Sequence, residues 1–96
     1  MLHLIFQSPI DIAILERMAP GDAAVFLESA VLGVLQKGQS ADVISTRLGH
    51  HKFYVLSEDM GIRGICKTEI MPGLVVINYS GLVKLTAEHS LIQSWC

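Results

Sequence analysis

Four short apolar runs, each followed at once by a helix-start signal, set the strongest constraint on this chain. They are Leu2 to Phe6, Ala23 to Leu27, Phe53 to Leu56 and Leu74 to Ile77. Four or five residues is strand length, and near-continuous apolarity is the mark of strands buried on both faces. After the first run, Ser8 supplies a capping hydroxyl, Pro9 suits the first helical position, and Asp11 lies in the first turn. Ile10, Ile14 and Met18 then recur every four residues, which predicts a helix ending near Pro20-Gly21. The rhythm repeats. Ala30 to Gln36 reads as a buried helix ended by Gly38, and Ala41, Ile44 and Leu48 as a short helix closed by Gly49. Ser57-Glu58-Asp59 opens a helix ending around Arg63-Gly64, and a last helix is predicted from about Gly81 to His89 with Ser80 as its cap.

Strands that each lead into a helix predict an α/β fold of three layers: a mostly parallel sheet covered by helices on both faces. The strand-to-helix loops then line one edge, at the carboxyl ends of the strands. They are Gln7-Ser8, Glu28-Ser29, Ser57-Glu58 and Asn78-Tyr79-Ser80, and a site is expected there. The chain has no linker or low-complexity stretch, so residues 1–96 are read as a single domain.

Composition enters through burial. For 96 residues and 10.5 kDa, surface scaling gives roughly 5,400 Å² folded against about 15,000 Å² unfolded, enough for one core. The chain is 51% apolar and 17% charged, and the second figure is low against an ordinary share of about 25%. Part of the surface is therefore expected to be covered by another subunit. A formal charge of −2 argues against a generally nucleic-acid-binding surface. No apolar run approaches the ~18 residues of a membrane span. The amino end lacks a basic leader, and two cysteines, one of them terminal, make no disulfide scaffold, so a cytoplasmic location is expected.

The sequence lacks GxGxxG, a phosphate loop, GxSxG, HExxH and CxxC, so no cofactor and no metal site are expected. Cys66 is the internal thiol. One reading makes it a sulfur carrier whose pKa is lowered by Lys67 and Arg63; the other makes it a small, partly buried side chain just beyond a short helix, away from any helix amino terminus. Cys96 lacks a local framework to orient it. His50-His51 reads as a polar turn, since adjacent histidines rarely share one ion. His3 is expected to be a covered strand residue, and His89 to close the last helix. Glu58 and Asp59 point about 100° apart on a helix, so capping, and orientation of Arg63 by Asp59, explain them better than paired acid-base work. Met71, Tyr79, Leu82 and Val83 stand in the long uncharged stretch and are candidates to meet a partner. Trp95 is a candidate anchor on another subunit, the alternative being that it folds back on its own chain.

Two stretches carry a resemblance. YVLSEDMGIRG at 54–64 and VINYSGLVKLTAE at 76–88 are similar to the third and closing strand-helix segments of the DsrH/TusB family of sulfur-relay proteins. The opening LHLIFQSP and the closing QSW resemble the same family, so the likeness spans nearly the whole chain. It implies a DsrE/DsrF/DsrH-like fold in a heterohexamer with two paralogous partners, one DsrE/TusD-like and one DsrF/TusC-like. Such a complex takes persulfide sulfur from an upstream carrier towards 2-thiolation of the wobble uridine of tRNA, or works in dissimilatory sulfur oxidation. The relay cysteine of the family belongs to the DsrE-like partner, which makes this chain a non-catalytic subunit, with Asp59, Arg63, Tyr79, Leu82 and Trp95 as interface or structural candidates. Two readings stand beside it: a sulfurtransferase subunit using Cys66 directly, and a homo-oligomeric α/β protein without a relay role. The chain departs from the family pattern at Ser29-Ala30-Val31, where Asp-Gly-Val is usual, and at Asn78, where Asp is common. The family supplies no role for Cys66.

Overall fold

The computed structural model describes residues 1–7, 10, 12–36, 41–48 and 51–95, the side chains of Ile12, Ala41 and Val43 excepted. Leu2–Ile5 (β1), Ala23–Phe26 (β2), Lys52–Leu56 (β3), Val75–Ile77 (β4) and Ile92–Trp95 (β5) pair in the order β4-β3-β2-β1-β5. Every pairing in this sheet is parallel. The four expected strands are present, within a residue or two at their ends. The fifth is an addition: Ile92–Trp95 extends the sheet beside β1, where the sequence reading placed no strand. Its residues Ile92, Gln93 and Ser94 are exposed at the sheet edge, so no apolar run announces it.

The helices are Ile12–Glu16 (α1), Ala41–Arg47 (α2), Ser57–Ile62 (α3) and Tyr79–Glu88 (α4). Ser8, Pro9, Asp11, Gly38, Gly49, His50 and Cys96, all named in the sequence reading, lie outside the described residues. Two local expectations need correction. Glu28–Val34 winds as a 3-10 helix. Three residues per turn stack Ala30 over Gly33 and Val31 over Val34, and all four are buried. The tight winding also brings Gly33 against Ile10, so close that a Cβ on Gly33 would stand 2.5 Å from Ile10 Cδ1. The second correction is at α4. Its cap is Asn78, whose side chain accepts from the Gly81 amide at 2.9 Å, so the helix begins at Tyr79 rather than after Ser80. The end of α3 falls where expected. Gly64 adopts φ +68, and the amides of Gly64 and Ile65 return to the Gly61 and Met60 carbonyls, a glycine-closed helix end.

Strand side chains alternate, and each set finds a core. Ile5, Ala24, Phe26, Phe53 and Val55 face α1, α2, α3 and the 3-10 helix, whose Leu15, Val31, Ile44 and Met60 complete the larger cluster. Leu2, Ala23, Val25, Leu27 and Leu56 face the other way and meet Leu85 of α4. Connections that step from β1 to β4 use the first face, while the jump from β4 back to β5 carries α4 across the second. Among the described helices, α4 alone covers that face. The accessible surface is 5435 Å², in line with the scaling for this mass, yet Val75, Tyr79, Val83, Leu91 and Ile92 remain largely exposed. Met71, a candidate for a partner, is instead buried in the larger core.

A buried polar network ties the amino edge. Asp22 accepts from the Met1 ammonium (2.9 Å), His3 Nε2 (2.9 Å) and the Ala19 amide (3.0 Å). Trp95 Nε1 donates to His3 Nδ1 at 3.1 Å, which leaves the ring proton on Nε2, facing the carboxylate. The chain's amino terminus, β1, the turn before β2 and β5 are thereby joined through one carboxylate and one imidazole.

Candidate functional site

The helices that follow β1, β2 and β3 lie on one face of the sheet, while Asn78 after β4 starts α4 on the other. The carboxyl ends of the strands are left uncovered between them, which is where open parallel sheets place their crevices. A cavity of about 220 Å³ opens there, lined by Leu4, Phe6, Leu27, Glu28, Leu56, Asp59, Tyr79 and Leu82. Leu4 and Phe6 come from β1 and its exit, Leu27 and Leu56 from the ends of β2 and β3, and Tyr79 and Leu82 from the first turn of α4. The walls are apolar because these are second-face strand positions that α4 only partly covers.

Hydrogen bonds lace the rim together. Asp59, in the first turn of α3 and buried, accepts from the Glu28 amide at 2.7 Å. This bond joins α3 to the exit of β2, where Glu28 takes the left-handed φ of +49. Ser29 Oγ donates to the Phe6 carbonyl at 3.0 Å and fixes the same loop to β1. Glu58 accepts from Ser57 Oγ at 2.9 Å and from the Tyr79 amide at 3.3 Å, tying α3 to the start of α4. Its partial desolvation would raise its pKa, but the Ser57 hydroxyl, its own amide and the Tyr79 amide outweigh this and hold it below the ordinary carboxylate value.

The fold thus brings together Asp59, Tyr79 and Leu82, and it separates them from Arg63 and Trp95. Arg63 is exposed beyond α3, and Asp59 turns to the Glu28 amide instead of orienting it; among the described residues the ion pairs are those of Asp22 with Met1 and His3. Trp95 packs against the larger core and stacks on His3 at 6.2 Å between ring centroids. Leu4, Phe6, Leu27 and Leu56 were legible only as strand residues, and Glu28 only as part of a strand-to-helix loop.

Cys66 lines neither this cavity nor the other one described below. It is exposed, not partly buried, and it stands at the amino end of a three-residue 3-10 turn, Lys67–Glu69, where its amide donates to Glu69 Oε1 at 2.9 Å. Three residues of 3-10 helix carry almost no dipole with which to stabilise a thiolate. A larger cleft of about 470 Å³ lies at the opposite edge, against Asp22, Lys52, His51, Glu88 and His89. Among the described residues His51 Nδ1 is buried without a hydrogen-bond partner, and its ring leans on Phe53. Among the described residues no group of three His, Cys, Asp or Glu could hold a metal ion, and no helix is long and apolar enough to cross a membrane.

The sequence pattern of the DsrH like protein family matches residues 6–91. The chain belongs to the DsrH family. It is 32% identical to Protein TusB of Shigella flexneri over 99% of this chain and all of that one. Protein TusB of Pectobacterium parmentieri is 33% identical at the same coverage, and that of Yersinia enterocolitica 30%. This DsrH member is therefore a TusB-type protein. Solved structures agree on the fold. A protein of unknown function, MTH1491 from Methanobacterium thermoautotrophicum, superposes with a TM-score of 0.78 at 12% identity, covering 98% of this chain and 96% of its own. Protein Tm0979 of Thermotoga maritima does so with a TM-score of 0.62 at 16% identity, covering 93% and 94%.

Proposed function

We propose that this TusB-type chain is a non-catalytic subunit of a cytoplasmic sulfur-relay complex that passes persulfide sulfur towards 2-thiolation of the tRNA wobble uridine. Its partners are a DsrE/TusD-like and a DsrF/TusC-like subunit in a heterohexamer. The relay step is an exchange at sulfur: an acceptor thiolate attacks the outer sulfur of a persulfide, the old S–S bond breaks, and the donor leaves as a thiolate. No net oxidation occurs, so the step requires an accessible, oriented and shielded thiol and nothing else. The observation that carries the reading is the mismatch between thiol and pocket. The cavity at the carboxyl edge is walled by leucines, Phe6 and Tyr79 with carboxylates on its rim, while Cys66 stands outside it in open solvent. Exposed Tyr79, Val83, Val75 and Ile92 on the thinly covered face support burial against other subunits.

The test is transfer of labelled sulfur from a cysteine desulfurase through the co-purified complex, with mass spectrometry locating the persulfide. Cys66→Ser is expected to leave transfer intact, and replacement of the DsrE-like partner's cysteine to abolish it. Kinetically competent persulfide on Cys66, with transfer lost in Cys66→Ser, would instead establish direct catalysis by this chain.

A further inference from the structure

We infer that the carboxyl-edge cavity is a receptor for one arginine side chain presented by a protein partner. The inference deepens the proposed function by naming what the partner inserts, and it rests on that reading only for the identity of the partner.

Three properties of the cavity point to this chemistry. First, Asp59 is a buried carboxylate, 7% exposed, that lines the cavity; among the described residues it receives one side-chain hydrogen bond, on Oδ2 from the Glu28 amide. No cation faces it among the described residues. A buried carboxylate retains acceptor capacity for about four hydrogen bonds and is costly to leave without a counter-charge. Glu28 lines the same cavity and adds a second negative charge at the mouth.

Second, the rest of the lining is largely apolar: Leu4, Phe6, Leu27, Leu56 and Leu82 stand beside the two carboxylates. A long side chain with an aliphatic stem and a cationic head matches that pairing of surfaces, stem against leucines and head against carboxylates. The volume, about 220 Å³, is below the roughly 300–1,000 Å³ of cavities that enclose whole small-molecule ligands. Tyr79 stands at the lip, half exposed, and offers a ring face on which a guanidinium stacks better than an ammonium.

Third, the surroundings favour a protein surface over a free polyamine. Tyr79 and Val83 lie one turn apart on α4 and are both largely exposed, so the lip continues into an apolar strip that a small cation would leave wet. An arginine seated in an apolar, water-excluding ring is the common form of an interface anchor.

The test has two arms. In the first, the purified protein is titrated with n-butylguanidinium, with n-pentanol and butyrate as neutral and anionic controls, and followed by methyl and amide NMR. Shifts at Leu4, Leu56 and Leu82 methyls and at the Glu28 and Asp59 amides are expected with the guanidinium, and binding about tenfold weaker in Asp59→Asn. Asparagine keeps an oxygen for the Glu28 amide, so the variant tests charge and not the loop; Glu28→Gln, which leaves that backbone donor in place, should weaken binding by a smaller factor. Equal response to pentanol, or none to the guanidinium, overturns the inference whether or not a complex forms. In the second arm, Asp59→Asn is co-expressed with the DsrE-like and DsrF-like partners. Weaker assembly supports the inference, and unchanged subunit affinity overturns the assignment to a partner's arginine. Guanidinium binding with no complex at all, even for the unsubstituted chain, refutes the proposed function and leaves the cation receptor standing.

Discussion

Replacing Asp22 by Asn should destabilise the fold in a way that disappears in acid. Asp22 is buried, and burial alone would raise its pKa. The His3 ring, the Met1 ammonium and the Ala19 amide outweigh that penalty and bring the pKa from 3.8 down to about 2. Each pKa unit is worth about 1.4 kcal/mol, so the ionised carboxylate contributes about 2 kcal/mol. Because the folded value is the lower one, that contribution is complete above the unfolded pKa near 3.8 and is lost as pH falls towards 2. At pH 3 about half of it remains. Asparagine keeps the shape but turns an N–H₂ towards groups that are themselves donors, so at pH 7 the loss should be at least about 2 kcal/mol. For a chain of this length that is a fall of roughly 8–16 °C in Tm. Urea unfolding of both proteins at pH 7, 4 and 3, read by the fluorescence of the single tryptophan, Trp95, measures the gap. A gap that stays constant from pH 7 to 3 would refute the linkage argument. A gap below about 0.5 kcal/mol at pH 7 would show that the network contributes little, as many surface ion pairs do.

Three further outcomes follow from packing and capping. Asn78→Ala removes the side-chain acceptor for the Gly81 amide and should cost about 1 kcal/mol in urea unfolding. Leu85→Ala empties the centre of the α4 contact with the second face and should cost about 2–5 kcal/mol. If its cost is below 1 kcal/mol, α4 is not what closes that face. Gly33→Ala places a methyl 2.5 Å from Ile10 Cδ1; repacking of Ile10 should cost about 1–3 kcal/mol, seen as a lower urea midpoint at unchanged slope.

Much of the fold was legible because its signals are local. Apolar runs of strand length, each followed by capping and turn residues, required β1 to β4, their parallel pairing and the helices between them. The carboxyl-edge location of the candidate site followed from that same strand-to-helix order; Asp59, Tyr79 and Leu82 were named as interface or structural candidates, and the structure sets all three in the lining of that cavity. Two of the local misreadings show why the rest was not legible. Asn78, not Ser80, caps α4, since two adjacent polar residues compete for one cap and the better acceptor geometry is not written in the one-letter code. Glu28–Val34 is a 3-10 helix that sets Gly33 against Ile10, a residue 23 positions away in the chain, and no local signal reports that contact.

The sequence by itself determined the α/β class and the DsrH family pattern, both of which depend on near neighbours and on summed composition. Only the tertiary structure decided that Ile92–Trp95 is a fifth strand. Its residues gain their hydrogen bonds from β1, 90 positions earlier, and their ring contact from His3. Only the tertiary structure, again, turned Asp59 from a partner for Arg63 into part of the lining of a cavity shared by three strands, α3 and α4. A side chain's charge is set by its own chemistry, but its partner is set by which distant segments the sheet brings alongside it.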